Sequence, residues 1–339
     1  MATDDGRNAN DTRRAVLSAL GDGPVSGPDL ADRIGVSRTA VWKAVEALRE
    51  EGFGIDSGSD GYVLTGIPGY GAAAVEYRLD RDADVEYHES IQSTNARARE
   101  LAVSGATPDR DVPQVVLADE QTGGRGRLDR EWVSPPGGVW MSVLIRPDLP
   151  PARVPLVTLA AAVATARAVD AVADADVGGA SVGLKWPNDV LAVDRTGAER
   201  KLAGILTEMN GEADEVSWVV VGIGVNANVD AAGLPEGATS LRERLGDVDR
   251  GRFVAELLET FERLRSAPGE ILPAWRDRSL TLGRRVRVET NGETIVGEAV
   301  GVEPPGVLLV ETGDGTARIH AGDCEHLRRE GGDRPRDHD

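Results

Sequence analysis

Hydrophobic periodicity changes twice along this 339-residue chain, and the two changes limit the folds open to it. Up to about residue 64 the pattern is helical and closes on a hairpin. From there to about Arg278, runs of strand length alternate with helical ones. From Leu282 onward only short runs remain, separated by turn signals. A helical repeat and a period-2 repeat place their apolar faces differently and do not substitute for one another. Three units are therefore expected, at 1–66, 67–278 and 279–329, with a disordered tail at 330–339.

The first unit reads as a winged helix. Residues 1–10 are polar and expected to be disordered. Thr12 to Leu20 is helical, with Val16, Leu17 and Leu20 on one face. Ser26 caps a second helix, Pro28 to Ile34, with proline near its first turn. Gly35 turns the chain, and Ser37 caps a third helix from Arg38 to about Glu51 in which Val41, Val45 and Leu48 face inward. Phe53-Gly54-Ile55 and Tyr62-Val63-Leu64 flank a glycine-rich hairpin tip, the wing. Residues 65–75 form a Gly- and Pro-containing linker. In the second unit, strands are expected at Val115–Leu117, Val139–Ile145, Gly183–Lys185, Leu202–Glu208 and Trp218–Val225, and helices at Asn95–Ser104, Val154–Ala173 and Arg252–Arg265. The last unit holds short strands near Arg285–Val288, Glu293–Val296, Ala299–Val302 and Gly306–Val310. That spacing indicates a small β-barrel.

Charge says more about solvent than about a partner. The formal net charge is -19, with acids spread along the chain, and only three of the 38 basic residues are lysine. This composition resembles that of proteins from salt-accumulating halophiles. The three lysines, Lys43, Lys185 and Lys201, all fall in segments that read as functional. Lysine carries a compact point charge and arginine a planar fork, so the survivors mark positions where a small cation is required. The single cysteine, Cys324, excludes an intrachain disulfide. His88, His320, His326 and His338 lack zinc spacing, and the segment holding His320, Cys324 and His326 reads as a strand end. The apolar stretch from Val154 contains Arg167 and Asp170, which fits a buried helix better than a membrane span. No secretory signal is recognised, so a cytoplasmic protein is expected.

The densest chemistry lies in Gly123-Gly124-Arg125-Gly126-Arg127-Leu128-Asp129-Arg130-Glu131-Trp132. Glycines let backbone N–H groups approach a ligand, arginines pair with carboxylates and phosphates, and the tryptophan covers a flat ring. No Gly-Lys-Ser/Thr follows, so this is not a P-loop. Lys185-Trp186-Pro187-Asn188-Asp189 gathers a cation and two oxygen ligands beyond a strand, suited to a nucleotide phosphate and Mg²⁺. Lys201 precedes the apolar run Leu202-Ala203-Gly204-Ile205-Leu206. Gly222-Ile223-Gly224-Val225-Asn226 closes another strand with two glycines that suggest close approach or packing.

These motifs occur, in this order and downstream of Ser93-Thr94-Asn95, in biotin–protein ligases. With the winged helix, the chain resembles the bifunctional biotin ligase and biotin operon repressor family over nearly its full length. The resemblance implies an α+β multidomain fold: a winged helix-turn-helix, a class II synthetase-like catalytic domain shared with lipoate ligases, and an SH3-like β-barrel. It implies that biotin and ATP give biotinyl-5′-adenylate, which then acylates a lysine of a biotin carboxyl carrier domain of an acyl-CoA carboxylase.

The resemblance also assigns roles. Ser93, Thr94, Asn95 and Gln121 meet the polar ring of biotin, and Gly124, Arg125, Gly126 and Arg127 form the loop over it. Lys201 meets the biotin carboxylate. Arg130, Lys185 and Asn226 address ATP phosphates, Asn188 and Asp189 the Mg²⁺ side, and Trp132 the adenine. Lys201, Arg125, Arg127 and Lys185 carry the catalysis. Arg38, Thr39, Lys43 and Arg49 contact operator DNA, and a homodimer is a family expectation. Residues 1–66 hold eleven acids and seven bases, a net of -4, which is unusual for a DNA-binding unit. A lipoate ligase, or a repressor that only senses biotin, remains open at this point.

Overall fold

The computed structural model describes residues 3–104, 112–173, 181–212 and 214–327. The tail expected at 330–339 lies outside the described residues. Helix α1 (Thr3–Gly21) begins well before the expected start at Thr12, so residues 3–10 are helical and not disordered. Helices α2 (Gly27–Ile34) and α3 (Arg38–Glu50) start where the caps predict: Ser26 Oγ accepts from Asp29 N–H at 3.2 Å and Ser37 Oγ from Ala40 N–H at 3.1 Å. Gly35, at φ 73°, ends α2 in the left-handed region that favours glycine. Val16, Leu17, Leu20, Val41, Val45 and Leu48 close a small core with Leu30, Phe53 and Ile55. Strands β1 (Gly54–Gly58) and β2 (Gly61–Gly66) form the wing, and Val25 exchanges both backbone hydrogen bonds with Tyr62 as a third rung.

The expected linker is pinned at both ends. Gly69 O accepts from Gly251 N–H at 2.7 Å, and Tyr70 lies 3.9 Å beneath the Arg250 guanidinium. Helix α4 (Ala72–Glu76) lends Ala73 to the winged-helix core. Glycine and proline marked a break in regular structure, not an absence of contacts.

The middle unit is a seven-stranded sheet in the order β3-β4-β5-β9-β8-β7-β6. Its elements are β3 (Asp84–Ile91), α5 (Thr94–Ser104), β4 (Gln114–Gln121), β5 (Val139–Ile145), α6 (Val154–Val172), β6 (Ser181–Lys185), β7 (Asp189–Val193), β8 (Glu199–Gly211), β9 (Val216–Val225), α7 (Leu241–Leu245), α8 (Arg250–Ser266) and α9 (Ile271–Asp277). Only β3 and β4 run parallel; the other neighbours are antiparallel. Strands β3 and β7 and helices α4, α7 and α9 went unanticipated. β3 carries Asp84, Glu86, His88 and Glu89, which hide its period, and the others are short.

Alternation along each strand divides the sheet's two faces. Val139, Met141 and Val143 of β5, with Val219, Val221 and Ile223 of β9, pack beneath α6, α8 and α9. Helix α6 has the length and composition of a membrane span, but most of it is buried in this core. On the opposite face Val116, Leu144 and Val220 pack against Ala98 and Ala102 of α5. The remainder of that face is left for the site.

The last unit is a five-stranded antiparallel sheet, β13-β12-β11-β10-β14, built from β10 (Arg285–Glu289), β11 (Thr294–Glu303), β12 (Val307–Thr312), β13 (Gly315–Ile319) and β14 (Asp323–His326). Glu293–Val296 and Ala299–Val302, expected as separate strands, are one strand bulged between Ala299 and Gly301. Trp186 is fully buried at the junction with the middle unit, and its indole donates to Gly306 O at 2.9 Å.

Candidate functional site

A cavity of about 710 Å³ opens on the α5 face of the sheet. Its floor is the β8–β9 pair, where Gly204 faces Gly224 and Leu206 faces Gly222. These glycines make room for side chains laid flat on the sheet. A Cβ on Gly222 would come within 2.2 Å of Asn95 Oδ1, and one on Gly224 within 2.7 Å of the Trp132 indole nitrogen.

A bulge aims Lys201 into this cavity. Val190 pairs with Ala203 but Leu191 pairs with Lys201, so β8 carries one extra residue there. Leu202 and Ala203 consequently both enter the core beneath the sheet. The residues on either side of them, Lys201 and Gly204, both line the cavity. Bulges beside active sites commonly re-aim a side chain in this way. Lys201 Nζ pairs with Asp189 Oδ1 at 2.7 Å and lies 5.1 Å from the centre of the Trp132 ring. Its backbone is tied to the segment over the cavity: Lys201 N–H donates to Gly237 O, and Thr239 N–H to Lys201 O.

Around Lys201 the cavity gathers arginines together with carboxylates: Arg125 pairs with Asp129 at 3.4 Å and Arg130 with Asp323 at 2.6 Å. Arg127 donates to Asn188 Oδ1 at 3.1 Å, and the Asn188 amide donates to Ile205 O at 2.8 Å. Asn226 is buried, with its amide on Thr239 O. Arg125, Gly126, Arg130 and Trp132 line the cavity on the loop after β4. That loop folds back on itself: Gly126 N–H donates to Arg130 O and Trp132 N–H to Gly124 O. Leu128 and Asp129 at its tip sit at φ 56° and 55°, outside the usual range for side-chain-bearing residues. Each such residue costs roughly 1–2 kcal/mol, so the tip holds a strained form. Arg127 also reaches Gly322 O, and Arg130 pairs with Asp323, so the start of β14 adjoins the cavity.

The other end is rich in hydrogen-bonding side chains, and the lining cation Arg99 is paired there with Glu208 at 3.2 Å. Gln121 Oε1 lies 2.9 Å from Thr94 N and 3.1 Å from Thr94 Oγ1, and Ser93 lines the wall. Asn95 also lines the cavity, but its amide is engaged with Glu208, Ser142 and Leu206 O. Along β8, Lys201 and Glu208 stand seven positions apart, about 23 Å at strand rise, so the cavity runs from an end of ion-paired arginines and Lys201 to a hydrogen-bonding end.

Two expected site residues fall outside the lining. Gly124 lies beneath the loop, where a Cβ would meet Trp132 O at 2.4 Å. Lys185 ends the edge strand β6, two strands from β8 and thus about 10 Å away by strand spacing. Its charge acts on Cys324 and His326 instead. Burial pushes the Cys324 thiol up to about 12. Desolvation lowers His326, which contacts Glu199 at 3.0 Å and Thr281 at 3.1 Å. The metal-like cluster of His320, Cys324 and His326 is absent among the described residues, as is any other group of three such ligands. Sequence reading missed the lining residues Arg99, Glu208, Asp323 and 234–238. A polar residue in the buried strand Val139–Ile145 was the available signal for Ser142.

On the winged helix, Arg38, Thr39 and Lys43 share the exposed face of α3 with Trp42, which is 54% exposed and was not anticipated. Arg49 is directed elsewhere: it donates to Ile55 O at 2.9 and 2.6 Å and to Ser57 at 2.8 Å, bracing the wing.

Comparison with known proteins agrees with this geometry. Residues 87–226 match the biotin/lipoate A/B protein ligase family, 281–327 the biotin protein ligase C-terminal domain, and 12–63 a helix-turn-helix domain. The chain is similar to the bifunctional ligase/repressor BirA of Bacillus subtilis, at 37% identity over 91% of this chain and 96% of that protein. It is 39% identical to the biotin–[acetyl-CoA-carboxylase] ligase of Mycobacterium tuberculosis over 70% of this chain and 86% of that one. Among solved structures, the Aquifex aeolicus biotin protein ligase in complex with biotin and ATP aligns with a TM-score of 0.56 and 25% identity, covering 73% of this chain and 99% of that one. Sequence, domain order and site together show that the chain belongs to the biotin/lipoate A/B protein ligase family.

Proposed function

We propose that this protein is an ATP-dependent biotin–protein ligase that is also a biotin-responsive repressor. The observation that carries the reading is the two-ended cavity, with Lys201 at one end and the Thr94–Gln121 pair at the other, joined by a glycine floor. A ligand with a hydrogen-bonding ring, an apolar chain and a terminal carboxylate fits that sequence of environments. In the first step a biotin carboxylate oxygen attacks the α-phosphorus of ATP, and the bond to the β-phosphate oxygen breaks to release pyrophosphate. Lys201 holds the carboxylate and offsets charge as it approaches the phosphate. Arg125, Arg127 and Arg130 face the phosphates, and Trp132 walls the adenylate from water. In the second step a carrier lysine amine attacks the acyl carbon, the carbon–oxygen bond to AMP breaks, and the amine loses its proton.

Mg²⁺ fits only as part of the nucleotide complex. Asp189 is the carboxylate that pairs with Lys201, and magnesium ordinarily combines one or two carboxylates with substrate phosphates. Asp189 would hold it from the protein side, and the ion would neutralise phosphate charge. The acceptor is a biotin carboxyl carrier domain of an acyl-CoA carboxylase. The composition supports a cytoplasmic protein working in high salt, and operator-bound repression supports a homodimer.

The decisive experiment incubates purified protein in molar KCl with Mg²⁺, ATP, biotin and a carrier domain. Labelling of the carrier is expected. Pyrophosphate exchange driven by lipoate and not by biotin would reassign the substrate, and biotin binding without labelling would leave only a sensor.

A further inference from the structure

The outer side of α3 carries a tryptophan that neither the core nor the proposed ligase chemistry uses. Of the six tryptophans, four tyrosines and three phenylalanines in the chain, only Trp42 is exposed. Helical spacing explains its position. Val41, Ala44, Val45 and Leu48 fill the inward face, and Trp42 lies on the other side with Arg38 one turn before it and Glu46 one turn after. Thr39 and Lys43 flank it and are exposed too. Glu46 is engaged with Arg49 at 2.6 Å, and Arg49 braces the wing from the C-terminal half of the helix. The N-terminal half of this face, with Arg38, Thr39, Trp42 and Lys43, is left uncovered.

Size and charge decide what covers such a face. The exposed half of a tryptophan is about 100 Å², against ~800 Å² per partner in a standard protein interface. Its neighbours on this face are polar, so a second copy of the chain gains too little apolar contact here. Arg38 and Lys43 have no ion pair or hydrogen bond among the described residues, so both are available to an anion. The DNA major groove sets phosphates beside an apolar group, the C5-methyl of thymine. The N-terminal residues of the second helix in a helix-turn-helix approach the base edges there. Phosphate attraction is weak for this unit: residues 1–66 carry a net of -4, and the wing bears exposed Asp56 and Asp60. Salt reduces what attraction remains. An apolar contact carries no charge to be screened, so it keeps its discrimination at high ionic strength.

We infer that Trp42 packs on the C5-methyl of a thymine in the major groove and is a specificity-determining residue of the operator contact. Arg38 and Lys43, on either side of it, hold the helix to the duplex. The inference rests on the repressor half of the proposed function and is independent of the ligase half. A face that touched phosphates alone would be blind to the methyl group, because phosphate contacts carry no sequence information directly.

The test begins with in-vitro selection of random-sequence duplexes by the full chain with biotin, ATP and Mg²⁺, which supplies the DNA. Each thymine of the selected duplex is then replaced in turn by uracil, which removes one methyl and leaves the hydrogen-bonding edge unchanged. Fluorescence anisotropy is expected to show a roughly fourfold weaker Kd at one thymine of each half-site, the worth of one buried methyl. Trp42→Ala is expected to bind the selected duplex roughly tenfold more weakly, to bind unrelated DNA within about twofold of the original, and to lose the uracil effect at that thymine. A uracil scan without loss in the unsubstituted protein overturns the methyl contact, and that result does not depend on how the variant folds. Equal weakening of selected and unrelated DNA by Trp42→Ala overturns it too, as do identical uracil losses in both proteins. Loss of self-association in Trp42→Ala, read by sedimentation, reassigns the face to a second copy and overturns the inference. A selection that enriches no sequence overturns the repressor reading and the inference with it, while carrier labelling still decides the ligase.

Discussion

Replacing Lys201 isolates the electrostatic core of the proposed chemistry. At about 4 Å an ammonium and a unit negative charge interact by ~4 kcal/mol at an effective dielectric of 20 and by ~1 kcal/mol in bulk water. The Lys201 side chain is 36% exposed, which places it between those limits. A transition-state contribution of about 2–3 kcal/mol corresponds to a rate loss of roughly 30- to 150-fold. Lys201→Gln should show that loss in biotin-dependent ATP–pyrophosphate exchange at saturating substrates. Asp189, 17% exposed, loses its partner in the same variant, a stability cost of about 1–3 kcal/mol that a melting curve reads separately. Lys201→Arg tests the requirement for a small cation. A Cβ on Gly204 would stand 3.1 Å from the Trp132 ring and 3.3 Å from Lys201 Cε, so this stretch of floor has no room for a guanidinium fork. Arginine should therefore recover less than a tenth of the lost rate. Exchange within threefold of the unsubstituted protein in Lys201→Gln would refute the reasoning.

Arg125→Gly should release free biotinyl-adenylate into solution, because the loop over the cavity loses a cation that faces the adenylate; chromatography showing unchanged retention of adenylate would remove the lid role. Lys43→Ala should weaken binding to operator and to unrelated DNA alike and reduce the salt slope by about one unit, whereas Arg49→Ala should lower the melting temperature with less effect on DNA binding, since its guanidinium braces the wing. Burial holds His326 below its ordinary value of 6.5. The unfolded chain takes up that proton first, so the stabilisation is complete above about pH 6.5 and falls as the solution is acidified toward the folded value. Thermal melts of His326→Gln should therefore show a shallower acid-side slope, and an unchanged slope would remove His326 as its source.

Much of the architecture was legible because it rests on local chemistry. Ser26, Gly35 and Ser37 mark helix ends through bonds within a few residues, and those ends stand where they were expected. Val139–Ile145 and Trp218–Val225 are buried on both faces, so their continuous apolar runs announce central strands. β3 was hidden because acids and a histidine occupy a parallel edge strand whose faces are only partly covered. Lys185 and Lys201 looked equivalent, since each adjoins an apolar run in a chain poor in lysine. Their separation depends on strand order: β6 lies at the edge of the sheet and β8 near the middle.

The sequence by itself determined the three-unit division, the helix caps, the glycine–arginine loop and the residue types available for binding an activated carboxylate. Those features depend on periodicity and on bonds between near neighbours. Only the tertiary structure decided which way the critical side chains point. Lys201 reaches the cavity because β8 gains one residue against β7, a shift that depends on pairing with a distant strand. The orientation of the Asn95 amide is set by Glu208, more than one hundred positions away in the chain. Strand register and buried hydrogen-bond direction belong to the pairing of segments, and no single segment carries them.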